Sequence, residues 1–213
     1  MKRLGRDANC NMMIRFVLIG FIVFGLFQFA SAQASNPGLR DELLAMEKVD
    51  QDERLKCTAG DADFQTQCLK VLSETVDARN TKRLEEIFDK HGFPDTAKVG
   101  KEGLRAFMVL LQHTTTDALR LKSEKPITRA FKQKELTPQD YANFIDRLRL
   151  HQGKAQIYGS GFETRDGKLV LSRTEDLQNL DKRRKKIGLP PMREHVEMLK
   201  GVYKLEVEMP KMN

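Results

Sequence analysis

Residues 106–111, Ala106-Phe107-Met108-Val109-Leu110-Leu111, constrain this chain more than any other segment. A helix through them is apolar on every side, and such a helix belongs in the middle of a protein. The rest of the chain must supply elements that wrap it. Helical spacing of apolar residues predicts helices over 39–56 and 62–79, then a short third from Asn80 carrying Leu84, Ile87 and Phe88. A fourth spans 101–113 and contains the apolar run. A fifth opens at Thr116-Asp117 and is interrupted at Pro126. Thr137-Pro138-Gln139-Asp140 is a strong start for a sixth, reaching His151. Two more cover 178–187 and 192–203. Gly92-Phe93-Pro94, Gly153 and Gly188-Leu189-Pro190-Pro191 supply stops. Residues 156–164 and 168–171 flank Arg165-Asp166-Gly167 and read as a hairpin. The expected fold is mainly α: a single compact helical domain over 35–204 with one small β-hairpin, then a loose tail over 205–213.

The first 34 residues stand apart from that fold. Lys2, Arg3, Arg6 and Arg15 precede twelve residues, 16–27, without a polar side chain. Ala30-Ser31-Ala32 and Ala32-Gln33-Ala34 then offer small residues at cleavage spacing. This is the pattern of a signal peptide over 1–34. A membrane anchor is the rival reading, but it needs about 20 apolar residues, and Gln28 interrupts the run. The expectation is an exported protein, periplasmic or secreted, with no stable membrane anchor after cleavage. Without the four basic residues and Asp7 of that segment, 33 basic and 29 acidic residues remain, a net charge of +4. So mild an excess argues against a nucleic-acid partner.

Cys57 and Cys68 are then an even pair in an oxidising compartment, which favours a disulfide. On one continuous helix their spacing is about 16 Å, whereas a bridge needs Cα atoms within about 7 Å. The chain must therefore reverse between them, and Thr58-Ala59-Gly60-Asp61 supplies turn residues. Two unpaired core cysteines are the alternative.

Asp50 falls in the middle of the apolar stripe made by Leu39, Leu43 and Met46. A buried carboxylate needs a partner, and Arg54 is one helical turn away; Arg147 is the second candidate. His113 closes the apolar helix, next to Gln112. His91 and His151 end helices and His195 lies on a late surface helix, all three with structural roles. Lys182-Arg183-Arg184-Lys185-Lys186 reads as a solvated helix end. No metal-ligand spacing, nucleophile elbow, phosphate loop or dinucleotide fingerprint is present, so no metal and no cofactor is expected.

Several segments together resemble a bacterial family of exported proteins that share a domain of unknown function. They are Met46-x3-Asp50-Gln51-x2-Arg54, His91-Gly92-Phe93-Pro94, Val99-Gly100, Gln112-His113, Asp146-Arg147, Gly153-Lys154-x-Gln156-x-Tyr158-Gly159 and Asp181-x-Arg183-Arg184-x3-Gly188-Leu189-Pro190-Pro191. The resemblance covers about 39–200. It implies a shared set of polar positions that a fold alone does not need, and so a convergent polar pocket. Within it His113 would be the general base, because a histidine ordinarily titrates near neutrality. Asp50 or Asp146 would orient it, and Tyr158 would donate a proton or hydrogen bond. Asp50, Gln51, Arg54, Gln112, Arg147 and Gln156 would bind substrate, with Arg54 or Arg147 gripping an anionic group. His113, Arg147 and Tyr158 are expected within about 10 Å of one another, the scale of a small-ligand pocket. The family resemblance itself carries no activity; the expectation from the candidate pocket is a hydrolase-like enzyme acting on a small polar or anionic substrate. A non-catalytic envelope-binding or protein-interaction module is the alternative.

Overall fold

The computed structural model describes residues 34–210; apart from Ala34, the expected signal peptide lies outside them. α1 (Pro37–Cys57) opens where the Asn36 side chain accepts from Leu39 N at 3.1 Å, with Pro37 at the first helical position. This cap satisfies one of the amides that a helix start leaves without a partner. α2 (Ala62–Leu72) continues through a π-helical segment (Ser73–Asp77) into α3 (Ala78–His91). The separate helices expected over 62–79 and from Asn80 are therefore one run. α4 (Thr96–Gln112), α5 (Asp117–Lys132), α6 (Pro138–His151), α7 (Leu180–Lys186) and α8 (Met192–Tyr203) follow. The architecture is mainly α.

α4 bends at Gly100, whose φ of 71° and ψ of 175° lie outside the helical region. A side chain there would strain the backbone. The bend frees the carbonyls of Ala97 and Lys98 to accept from the amides of Ser35 (3.0 Å) and Asn36 (2.9 Å), which pins the start of α1 to α4. Leu39 and Leu43 of α1 then join the core with Leu104, Phe107, Leu110 and Leu111 of α4. Leu84 and Ile87 of α3, Leu119 and Ile127 of α5, and Phe144 and Leu148 of α6 complete it. The apolar run is buried throughout except for half-buried Val109. Pro126 lies inside α5 and does not end it. Leu119 and Ile127 anchor the helix in the core on either side, outweighing the one ladder bond that proline forfeits.

β1 (Phe162–Arg165) and β2 (Lys168–Leu171) form the expected hairpin, antiparallel, with Asp166 and Gly167 both at positive φ in the turn. β1 starts later than 156 because the chain before it loops around two buried side chains described below. The C-terminal segment expected to be loose contributes β3 (Val207–Glu208), which pairs parallel to β2. Leu171, Leu180, Met192 and Val196 make a second apolar cluster beside this sheet. His195, expected on a surface helix, is buried there; burial, and after it the charge of Arg184, push its pKa down to about 4.

The basic run at 182–186 is also not simply solvated. Arg184 is fully buried and donates to the carbonyls of Pro190 (2.8 Å) and Tyr158 (2.7 Å). Arg183 donates to the carbonyl of Ile157 at 2.7 Å. Two of the five cations are thus clamps on the loop that follows α6.

Cys57 and Cys68 are joined by a disulfide with Cα atoms 5.4 Å apart. The turn after α1 is what brings them together. Asp61 caps α2, its side chain accepting from Phe64 N at 2.9 Å. Among the described residues, no helix is long and apolar enough to cross a membrane.

Candidate functional site: a buried aspartate–arginine–histidine cluster

One cluster gathers residues from α1, the π-helical segment and the end of α4. Asp50 is 0% exposed, with its carboxylate turned away from water. Arg54, one turn on, places Nε 3.3 Å from Asp50 Oδ2 and 3.0 Å from His113 Nδ1. Its second arm reaches Asp77 Oδ1 at 2.5 Å. His113 Nδ1 lies 3.0 and 3.2 Å from the two Asp50 oxygens, and Gln51 Nε2 donates to Asp50 Oδ2 at 2.7 Å. His113 occupies the C-cap of α4, and its side chain is 24% exposed.

His113 Nδ1 can carry one proton or offer one lone pair, not both. If it accepted from Arg54, its lone pair would face both oxygens of a buried carboxylate. A charge-assisted N–H to Asp50 removes that repulsion and makes the stronger bond. We assign the proton to Nδ1 on that ground, with the Arg54 Nε–H given to Asp50 Oδ2 rather than to the ring; Nε2 is then left as the bare nitrogen. Nε2 has no partner among the described residues.

The two carboxylates differ. Burial drives the Asp50 carboxyl upward, but the hydrogen bond and charge of His113, with Arg54 and Gln51, bring it below its usual value. Asp77 stays above its usual value, because burial outweighs what Arg54 and His113 return. Environments that push two neighbouring carboxyls in opposite directions are common at functional sites. Asp50, Asp77 and His113 also present ligand atoms within 4.8 Å of one another, a spacing that a metal ion can use. The Arg54 guanidinium stands among those same atoms and already supplies a positive charge there.

A second group of polar residues adjoins the end of α4. Arg120 is buried; it donates to the carbonyls of Thr114 and Thr116 and, at 2.9 Å, to Asp117, while its Nε has no partner. His151 Nδ1 is 3.4 Å from Asp117. Arg147, one turn before His151 on α6, makes no hydrogen bond or ion pair with a described residue. Its side chain is exposed, yet burial is the main cause holding its pKa below that of a free guanidinium, followed by the charges of Arg120 and Arg54.

Other expected site residues have different tasks. Asp146 accepts from the amides of Ile157 (2.8 Å), Tyr158 (3.0 Å) and Ser160 (2.9 Å) and from the Ser160 hydroxyl (2.9 Å). Its carboxylate organises the loop after α6, and Asp50 is the acid that touches His113. Gln156 is equally committed: Nε2 donates to the carbonyls of Gly161 and Ser172, and Oε1 accepts from Gly161 N. The Tyr158 ring lies 6.2 Å from that of Tyr141, which stacks on Phe131. Its phenol is pushed up to about 12, by burial first and then by Tyr141 and Asp146. Gln112 is half-buried and Gln51 exposed. Clefts elsewhere include one of about 420 Å³ between Leu180, Met192 and Met209, one of about 220 Å³ between Phe93, Pro126 and Ala130, and one of about 450 Å³ beside Glu124, Thr128 and Lys132.

Asp77, Arg120 and His151 extend what the sequence reading singled out. Asp77 was legible from α3, since counting back four from Thr81 and seven from Leu84 reaches it on the buried face. The sequence offered no comparable signal for Arg120.

A family model described as a family of unknown function, DUF6624, matches residues 37–208. The chain belongs to the DUF6624 family. No curated protein and no solved structure matches it. The matched span of the DUF6624 domain includes every member of both polar groups.

Proposed function

We propose that this DUF6624 protein is an exported acid–base enzyme of hydrolase type, with His113 as its general base. The observation that carries the reading is the Asp50–His113 pair, with an Nε2 that has no partner among the described residues. In the proposed step Nε2 takes a proton from water as the water oxygen attacks an electrophilic centre, and later returns it to the leaving group. Asp50 fixes the ring through Nδ1 and stabilises the imidazolium; Arg54 holds Asp50 and Asp77 in place around it. The disulfide between Cys57 and Cys68 is compatible with export. Asp146 and Tyr158 are left out of the chemistry, because neither contacts this cluster through a described hydrogen bond.

The test is turnover of two chromogenic esters, p-nitrophenyl acetate and p-nitrophenyl phosphate, by wild type and by His113→Ala. Loss of a general base is expected to lower the rate about 10²–10⁴-fold. Equal rates in a folded variant would contradict the reading. Arg147, without a hydrogen-bond or ion-pair partner among the described residues, also favours a second reading, capture of an anionic ligand without chemistry. That reading predicts ligand binding by a wild-type protein that turns over neither ester.

A further inference from the structure

We infer that Arg147 and His151, on one face of α6, hold the phosphoryl end of an anionic substrate. The inference rests on the catalytic reading of His113 and names the chemical class that the site recognises.

Arg147 and His151 are four residues apart on α6, so they project from the same face one turn apart. The contact of His151 with Asp117 ties that face to the start of α5. Arg120 continues the link: it bonds Asp117 on one side and the carbonyl of Thr114 on the other, next to His113. The α6 face and the end of α4 therefore border one region.

The acids of this region are already engaged. Asp50 and Asp77 serve Arg54, and Asp117 serves Arg120 and His151. Arg147 has no carboxylate partner among the described residues, and the charges of Arg120 and Arg54 bear on it. Arg120 is buried with its Nε unsatisfied. A guanidinium with no counter-ion among the described residues, under the influence of like charges, is unfavourable until an anion arrives. A guanidinium fork takes two oxygens of an oxyanion. Burial, and after it the charge of Arg120, hold the pKa of the His151 imidazole below its ordinary value, so it takes up its proton together with the anion; it then has a third oxygen to meet, and a carboxylate has only two. A phosphoryl group supplies all three, so it is the better fit.

The probe is inorganic phosphate, titrated calorimetrically into wild type, Arg147→Met and His113→Ala, with acetate as the contrasting anion. Wild type should bind phosphate more tightly than acetate. Arg147→Met should weaken phosphate binding roughly tenfold or more, as expected for one charge-assisted contact. His113→Ala should still bind phosphate more tightly than acetate. Because Arg147 has no partner to lose among the described residues, its variant should melt no lower than wild type, which separates a ligand contact from a structural one. The inference is overturned if wild type ignores phosphate, if Arg147→Met binds it equally well, or if acetate binds as tightly. Those failures would leave the role of His113 standing, since ester turnover tests it independently.

Discussion

Asp146→Ala is expected to destabilise the protein by about 4 kcal/mol, the sum of several buried donors left without acceptors at about 1–3 kcal/mol each. Its carboxylate is fully buried and receives three backbone amides and one hydroxyl from 157–160. The loop it holds also carries the carbonyls of Ile157 and Tyr158 that Arg183 and Arg184 grip. Removing it should therefore loosen the junction between the helical core and the second apolar cluster. Chemical denaturation measures the effect directly. A loss below about 1 kcal/mol would mean that water replaces the carboxylate at little cost.

Asp50→Ala should cost about 3 kcal/mol at neutral pH, the lower end for breaking one side of a buried ion pair. The lower end applies because Arg54 keeps Asp77 as a second partner. The effect has a defined pH dependence. Asp50 titrates in the folded protein below its usual value. Its contribution is thus present above the unfolded pKa and is lost as pH falls through the folded one. Wild type and variant should converge in acid below about pH 4, the ordinary range of a carboxyl. Unfolding curves at a series of pH values check both magnitude and trend; a constant difference down to the acid limit would contradict the assignment.

The helical framework was largely readable because its signals are local. The Thr137-Pro138 start, the Gly92 stop and the all-apolar run over 106–111 each specify their own turn of backbone. Asp50 was readable for the same reason, as one polar residue among Leu39, Leu43 and Met46. Asp77 was not seen from the N-terminal side, because the π-helical segment over 73–77 shifts the phase of the helix. A wheel continued from Leu72 at 100° per residue misplaces everything after it. The sequence likewise treated Asp146 and Gln156 as chemistry, since an acid and an amide near a histidine look alike whether they bind substrate or backbone. Only the loop geometry over 156–161 distinguishes the two uses. Arg184 shows the converse, a cation in a basic run that folding buries to hold two carbonyls.

The central claim is that Asp50 sets His113 with its proton on Nδ1 and leaves Nε2 bare as a base. The most direct measurement is the ¹⁵N spectrum of the histidine rings in labelled protein, at a pH where the His113 ring is neutral. The account predicts a protonated Nδ1 and an unprotonated Nε2 for His113, with the preference weakened in Asp50→Ala. The opposite tautomer, with Nε2 protonated and Nδ1 accepting from Arg54, would contradict it and leave the cluster a structural ion-pair network.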